Sequence, residues 1–189
     1  MAIKSSGIKK TFAVACFLLQ FFPLTIFLMI ALQHGTPQPA DWLNAFVWGG
    51  SMAILQFALL LSGKNPLNRI VLGVNLYLIF AGIAAFTGLG VLLKILDDLK
   101  ESAVFLSILA VGICTTITSK FGFVGTVEIA SPKSVKTYSL LLLLLAFMAV
   151  VASFWFKGAL LFSAAIPLIC MSVANRLFKW QLQRKSGMI

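Results

Sequence analysis

Ile70-Val-Leu-Gly-Val-Asn-Leu-Tyr-Leu-Ile-Phe-Ala-Gly-Ile-Ala-Ala-Phe-Thr-Gly-Leu-Gly-Val-Leu-Leu93 runs for 24 residues between Arg69 and Lys94 without one charged side chain. A hydrocarbon layer of ~30 Å needs about 20 residues of helix to cross it, and helices or closed barrels are the only backbones that pair every N–H and C=O inside it. The stretch lacks the alternating polarity of a barrel strand, so its length predicts a transmembrane helix. Working outward, five further stretches read the same way, at about 11–33, 42–62, 102–119, 138–156 and 158–175. The expected fold is all-α: a polytopic integral membrane protein forming one six-helix transmembrane bundle over residues 1–189.

Composition agrees. Of 189 residues 60% are hydrophobic and 11% charged, against roughly a quarter charged in soluble domains. The net charge of +10 lies in short connectors and forms no basic helix with interleaved aromatics, so nucleic acid is not an expected partner. The first stretch follows Lys4, Lys9 and Lys10 like the start of a signal peptide, but its length and the lack of a small-x-small cleavage site predict a retained anchor.

Positive residues in short loops stay on the cytoplasmic side. With the N-terminus inside, Lys4, Lys9, Lys10, Lys64, Arg69, Lys120, Lys133, Lys136, Arg176, Lys179, Arg184 and Lys185 fall inside, and only Lys94, Lys100 and Lys157 outside. This twelve-to-three division predicts a multi-pass protein of the cell inner (plasma) membrane with both termini cytoplasmic. Asp41, Asp97, Asp98 and Glu101 fall outside. Trp42 and Trp155 sit at expected outer helix ends and Tyr138 at an inner one, where amphipathic rings settle.

No acid or base is expected deep within a stretch, which removes support from proton relays, ion-coupled pumps and voltage sensors. His34 stands alone in a loop, where it reads as a solvated side chain. Cys16, Cys114 and Cys170 have no CxxC spacing and lie at similar depth; the soft-metal reading competes with that of ordinary small buried residues, and no metal or cofactor is expected. Lys94 precedes Asp97 and Asp98 at helical spacing, which suits ion pairing better than calcium. Pro23 and Pro167 fall mid-stretch, where each removes a helix hydrogen bond and predicts a bend, as a packing detail or a gate hinge.

The polar residues within the apolar stretches are the candidates for recognition. Gln20, Gln56, Asn75 and Thr115 lie at middle to inner depth, where they line a polar vestibule that grips a neutral solute or act as interhelical glue; Thr115, Thr116 and Thr118 also have their own helix carbonyls as partners. Ala81 with Ala85, and Ala84 with Gly88, give small-xxx-small spacing, which together with Gly82 predicts that the third helix is the central packing helix.

Two cytoplasmic segments are expected to meet partners or lipid. The connector Lys120–Thr137 carries Phe121, Phe123 and Glu128, and reads either as an interaction loop or as a segment at the interface. The tail 176–189 carries Arg176, Lys179 and Trp180 on a basic amphipathic helix suited to anionic lipid. The expected function is that of a non-catalytic membrane component binding partner proteins or lipids, such as an accessory, assembly or immunity-like subunit, with a small permease or its substrate-binding subunit as the alternative. An intramembrane enzyme would need an acid, base or nucleophile cluster that the sequence lacks.

Overall fold

The computed structural model describes residues 20–35, 39–62, 68–125 and 131–185. Among them every regular element is helical: α1 (Phe22–Ala31), α2 (Pro39–Ser62), α3 (Arg69–Thr87), α4 (Gly90–Leu99), α5 (Ser102–Thr118), α6 (Pro132–Trp155), and a single π turn (Leu161–Ala165) leading into α7 (Ile166–Lys185). Four segments are long and apolar enough to cross a membrane: Ala40–Leu59, Arg69–Thr87, Pro132–Trp155 and Leu161–Arg184. Gly90–Leu99 and Ser102–Thr118 would count as a fifth span if taken together, but they meet at 96°. α1 is a shorter apolar helix, and the remainder of the expected first stretch, 11–19, lies outside the described residues.

α2 and α3, α3 and α5, and α6 and α7 run antiparallel, as their contacts require. On α1 and α2, Phe27 packs on Trp42 and Phe46 at centroid distances of 5.7 and 5.0 Å. The turn between these helices is closed by Asp41, whose Oδ1 accepts from Gln33 Nε2 at 3.3 Å and lies 3.1 Å from His34 Nδ1. The α2–α3 seam is built on glycine. A Cβ added at Gly82 would come within 2.7 Å of the Phe46 carbonyl oxygen, and one at Gly50 within 2.7 Å of that of Leu78. Gly73 makes the matching close approach to α5, where a Cβ would stand 2.6 Å from Ile108 Cα, and the Ser107 hydroxyl donates to the Gly73 carbonyl at 2.9 Å. α3 thus packs against both α2 and α5, with Ala81 and Gly82 buried and Ala85 partly so.

The rest of the chain is added in order: α5 on α6, then α6 on α7. Tyr138 and Phe178 close the α6–α7 pair at one end, 5.3 Å apart, and Phe156 and Phe162 at the other, 5.8 Å apart. Apolar side chains such as Trp48, Phe86, Ile117, Phe147 and Ile169 cover the outward faces. Such faces suit lipid, which replaces the water that a soluble helix would meet there.

Four sequence expectations change. The third helix stops at Thr87 rather than Leu93, because Gly88 takes a left-handed conformation (φ 67°) and its N–H and that of Leu89 both donate to the Ala84 carbonyl. Gly88 is therefore a helix stop with open space around it, and it takes no part in packing. Leu92, Leu93, Leu96 and Leu99 form the half-buried face of α4, which exposes Lys94, Asp97 and Asp98; the bend after α4 uses Lys100 at φ 48°. Pro23 falls in the first turn of α1, a position where its missing N–H costs nothing. At Pro167 the expected disturbance takes the form of the π turn just before it, in which the Ile166 N–H reaches back to the Leu161 carbonyl.

The fourth change concerns the connector 120–137. Ser131 caps α6, its hydroxyl accepting from the Ser134 N–H at 3.4 Å, and Pro132 begins the helix, so six residues expected in a loop are helical. Residues 121–125 form turns folded against α5 and α6.

Candidate functional site

Of the four residues expected to grip a solute, the structure joins two. Asn75 on α3 is 2% exposed and its Nδ2 donates to Gln56 Oε1 on α2 at 2.5 Å. The Thr115 hydroxyl donates to its own helix, to the Val111 carbonyl at 2.7 Å and the Gly112 carbonyl at 3.2 Å. Thr116 and Thr118 do the same with Gly112 and Cys114, each at 2.7 Å. Gln20 lies in the turn before α1 and is half-buried. Gln56 and Asn75 thus share a bond between helices, while the three threonine hydroxyls bond within their own helix.

The residues expected to meet partners are placed unequally. Phe123 is 1% exposed, with its ring over Gly112, where an added Cβ would be 2.9 Å from Phe123 Cε1. Val124 is equally buried, and its N–H donates to the Ser139 hydroxyl at 3.4 Å. Phe123 is thus a core side chain, turned inward because α5 leaves a notch at Gly112. Phe121 is half-buried, with the Lys120 ammonium 5.9 Å from its ring centre. Glu128 lies outside the described residues. On α7, which continues without a break into the expected tail as far as Lys185, Arg176 and Trp180 are exposed and Lys179 is half-buried. Arg184 stacks on Trp180 at 5.6 Å. Cys114 and Cys170 are free and exposed; Cys16 lies outside the described residues.

Two features escaped the sequence reading. The first is Glu101, which was placed with the surface acids. Gly73 faces Ile108 across the α3–α5 seam, so Glu101 stands about two turns, roughly 10 Å, short of the outer end of α3. One of its oxygens, Oε2, is enclosed without a hydrogen-bond partner, and the carboxylate acts electrostatically on the buried Tyr77.

The second is a polar junction where α3 begins and α5 ends beside the middle of α7. Asn68 caps α3, its Oδ1 accepting from the Ile70 N–H at 3.2 Å. The neighbouring Arg69 donates from Nη2 to the Ser119 hydroxyl at the end of α5, at 2.7 Å. Asn175 on α7, 4% exposed, reaches Asn68 Oδ1 with its Nδ2 at 3.5 Å. Lys179, one turn further along the same face of α7, comes within electrostatic range of Arg69. Arg69 Nη1 and Asn175 Oδ1 are both enclosed and have no hydrogen-bond partner among the described residues.

Among the described residues, charge also separates by end. Arg69, Lys120, Lys133, Lys136, Arg176, Lys179 and Arg184 gather at the end with this junction, whereas Asp41, Asp97, Asp98 and Glu101 share the other end with Lys94, Lys100 and Lys157. The chain was compared with protein-family models, curated proteins and solved structures, and no match was found.

Proposed function

We propose that the chain is a non-catalytic, multi-pass component of the cell inner membrane that crosses the bilayer six times, keeps both termini in the cytoplasm, and binds partner proteins or lipids. The observation that carries this reading is the Gln56–Asn75 bond. The carboxamides best placed to hold a solute are spent on one another, while the outward faces are apolar. Interhelical carboxamide bonds of this kind stabilise membrane helices by about 0.6 kcal/mol on average and at most ~1.7.

A double-mutant cycle tests this role. Gln56→Ala and Asn75→Ala each lower the midpoint of thermal unfolding in detergent, and the double variant loses little more than either alone. Strictly additive losses would remove the pair from the argument and reopen the solute-binding reading.

The orientation rests on the charge division, since positive residues near helix ends resist translocation. A reporter enzyme active only in the cytoplasm is expected to be active when fused after Ile189 and silent when inserted after Lys157. The reverse pattern would overturn the topology.

A further inference from the structure

We propose that Arg69, Lys179 and Ser119, braced by Asn68 and Asn175, form a binding site for a single phosphate group at the basic end of the helices. The argument starts from an electrostatic imbalance. Folding sets Lys179, one turn beyond Asn175, beside the start of α3, where Asn175 meets Asn68 next to Arg69, and like charges in a partly enclosed place repel more strongly than they do in water. Four of the chain's five acids, Asp41, Asp97, Asp98 and Glu101, lie at the opposite end. The fifth, Glu128, lies outside the described residues. Of the other cations near the junction, Lys120 is turned over the Phe121 ring and Arg176 is exposed on the helix that carries Lys179. An anion between Arg69 and Lys179 converts one repulsion into two attractions.

The geometry selects the kind of anion. The Arg69 fork is half used, with Nη2 on Ser119 and Nη1 enclosed without a partner, and a guanidinium matches two oxygens of one phosphate. Donors come from three elements: Arg69 on α3, the Ser119 region after α5, and Lys179 on α7. A phosphate has more acceptor oxygens to share among them than a carboxylate has. The second enclosed atom, Asn175 Oδ1, is an acceptor, so the ligand also needs a hydroxyl. Hydrogen phosphate and a phosphoglycerol lipid headgroup both supply one. The site stands where α3 begins and α5 ends, which is headgroup depth if the chain spans the bilayer as proposed above; only the lipid source depends on that reading.

The test uses the full-length chain purified in a neutral maltoside detergent. In the first arm, native mass spectrometry measures retention of phosphatidylglycerol against phosphatidylcholine. In the second, thermal unfolding is followed with inorganic phosphate against chloride at equal ionic strength. The expected result is that Arg69→Gln and Lys179→Gln each lower lipid retention or phosphate protection about tenfold, the loss of one charge-assisted contact, while Lys100→Gln at the opposite end leaves both unchanged. An effect in the first arm assigns the site to a lipid headgroup, and an effect in the second alone assigns it to free phosphate.

Should Arg69→Gln fail to fold, Lys179→Gln and the charge-keeping Arg69→Lys decide the matter, the latter with an intermediate loss. The proposal is overturned if folded Lys179→Gln behaves as the parent in both arms. It is equally overturned if binding appears only in Glu128→Gln, since the cations would then be neutralised from within. Neither failure touches the reporter result, so this site and the topology can fall separately.

Discussion

Replacing Gly82 with valine is expected to abolish accumulation of the folded chain. A Cβ at this position meets the Phe46 carbonyl oxygen at 2.7 Å, and Gly50 Cα lies only 3.1 Å away. Both obstacles are backbone, which cannot rotate aside. Overpacking costs about 1–3 kcal/mol when side chains can give way; here α2 and α3 must separate, which also breaks the Gln56–Asn75 bond and opens the contacts of Leu78. The measurement is the fraction of a fluorescent fusion that elutes as a monodisperse species from detergent. Gly88→Ala provides the contrast, since that glycine has open space around it and carries only the left-handed φ of 67°, a strain of roughly 1–2 kcal/mol. If Gly88→Ala were the more damaging change, the glycine seam would not be the feature that fixes the fold.

The second large effect is expected at Phe123. Phe→Ala in a core costs about 3–5 kcal/mol, because the lost transfer energy is joined by that of the cavity left behind. Phe123 fills the notch over Gly112 and is 1% exposed, so Phe123→Ala should lower the unfolding midpoint sharply, whereas Phe121→Ala, half-buried, should lower it modestly. The interaction-loop reading of this segment predicts unchanged stability in both variants together with loss of a co-purifying protein. Equal midpoints for the parent and Phe123→Ala would contradict the packing seen here.

The sequence shows the helices more readily than their ends. Uncharged length announces α2, α3, α5, α6 and α7, since nothing else satisfies so much backbone in an apolar setting. The Gly88 stop was also visible, as a glycine before Leu89-Gly90, but small-residue spacing suggested packing, and one letter cannot separate a left-handed cap from a close helix approach. The Ser131-Pro132 start of α6 is an N-cap signature that was hidden inside an expected loop. Ala81 and Gly82 were legible because close-packed membrane helices require small side chains whatever the partner.

The candidate sites were harder to read. Asn75 and Gln56 stand 19 residues apart, and periodicity says nothing about which carboxamide faces which. Arg69 and Lys179 were counted as topological signals, and their placement at one junction depends on the start of α3 and the end of α5 meeting α7 at Asn175, a tertiary fact. Glu101 was placed outside because it falls in the connector between the third and fourth expected stretches; the 96° bend at Lys100 then carries it inward beneath the outer end of α3. The enclosure of its Oε2 is a tertiary consequence of that bend, which the neighbouring acids do not announce.

The serial order of packing has a consequence for how the molecule is made. Each helix lies against one synthesised shortly before it, so a segment that follows finds its docking surface already built, the low-contact-order arrangement that speeds folding. The last closure joins Asn175 to Asn68 across 107 residues of chain. The junction at Arg69 is thus completed only when α7 arrives, and an anion held there would act as a clasp on the finished molecule.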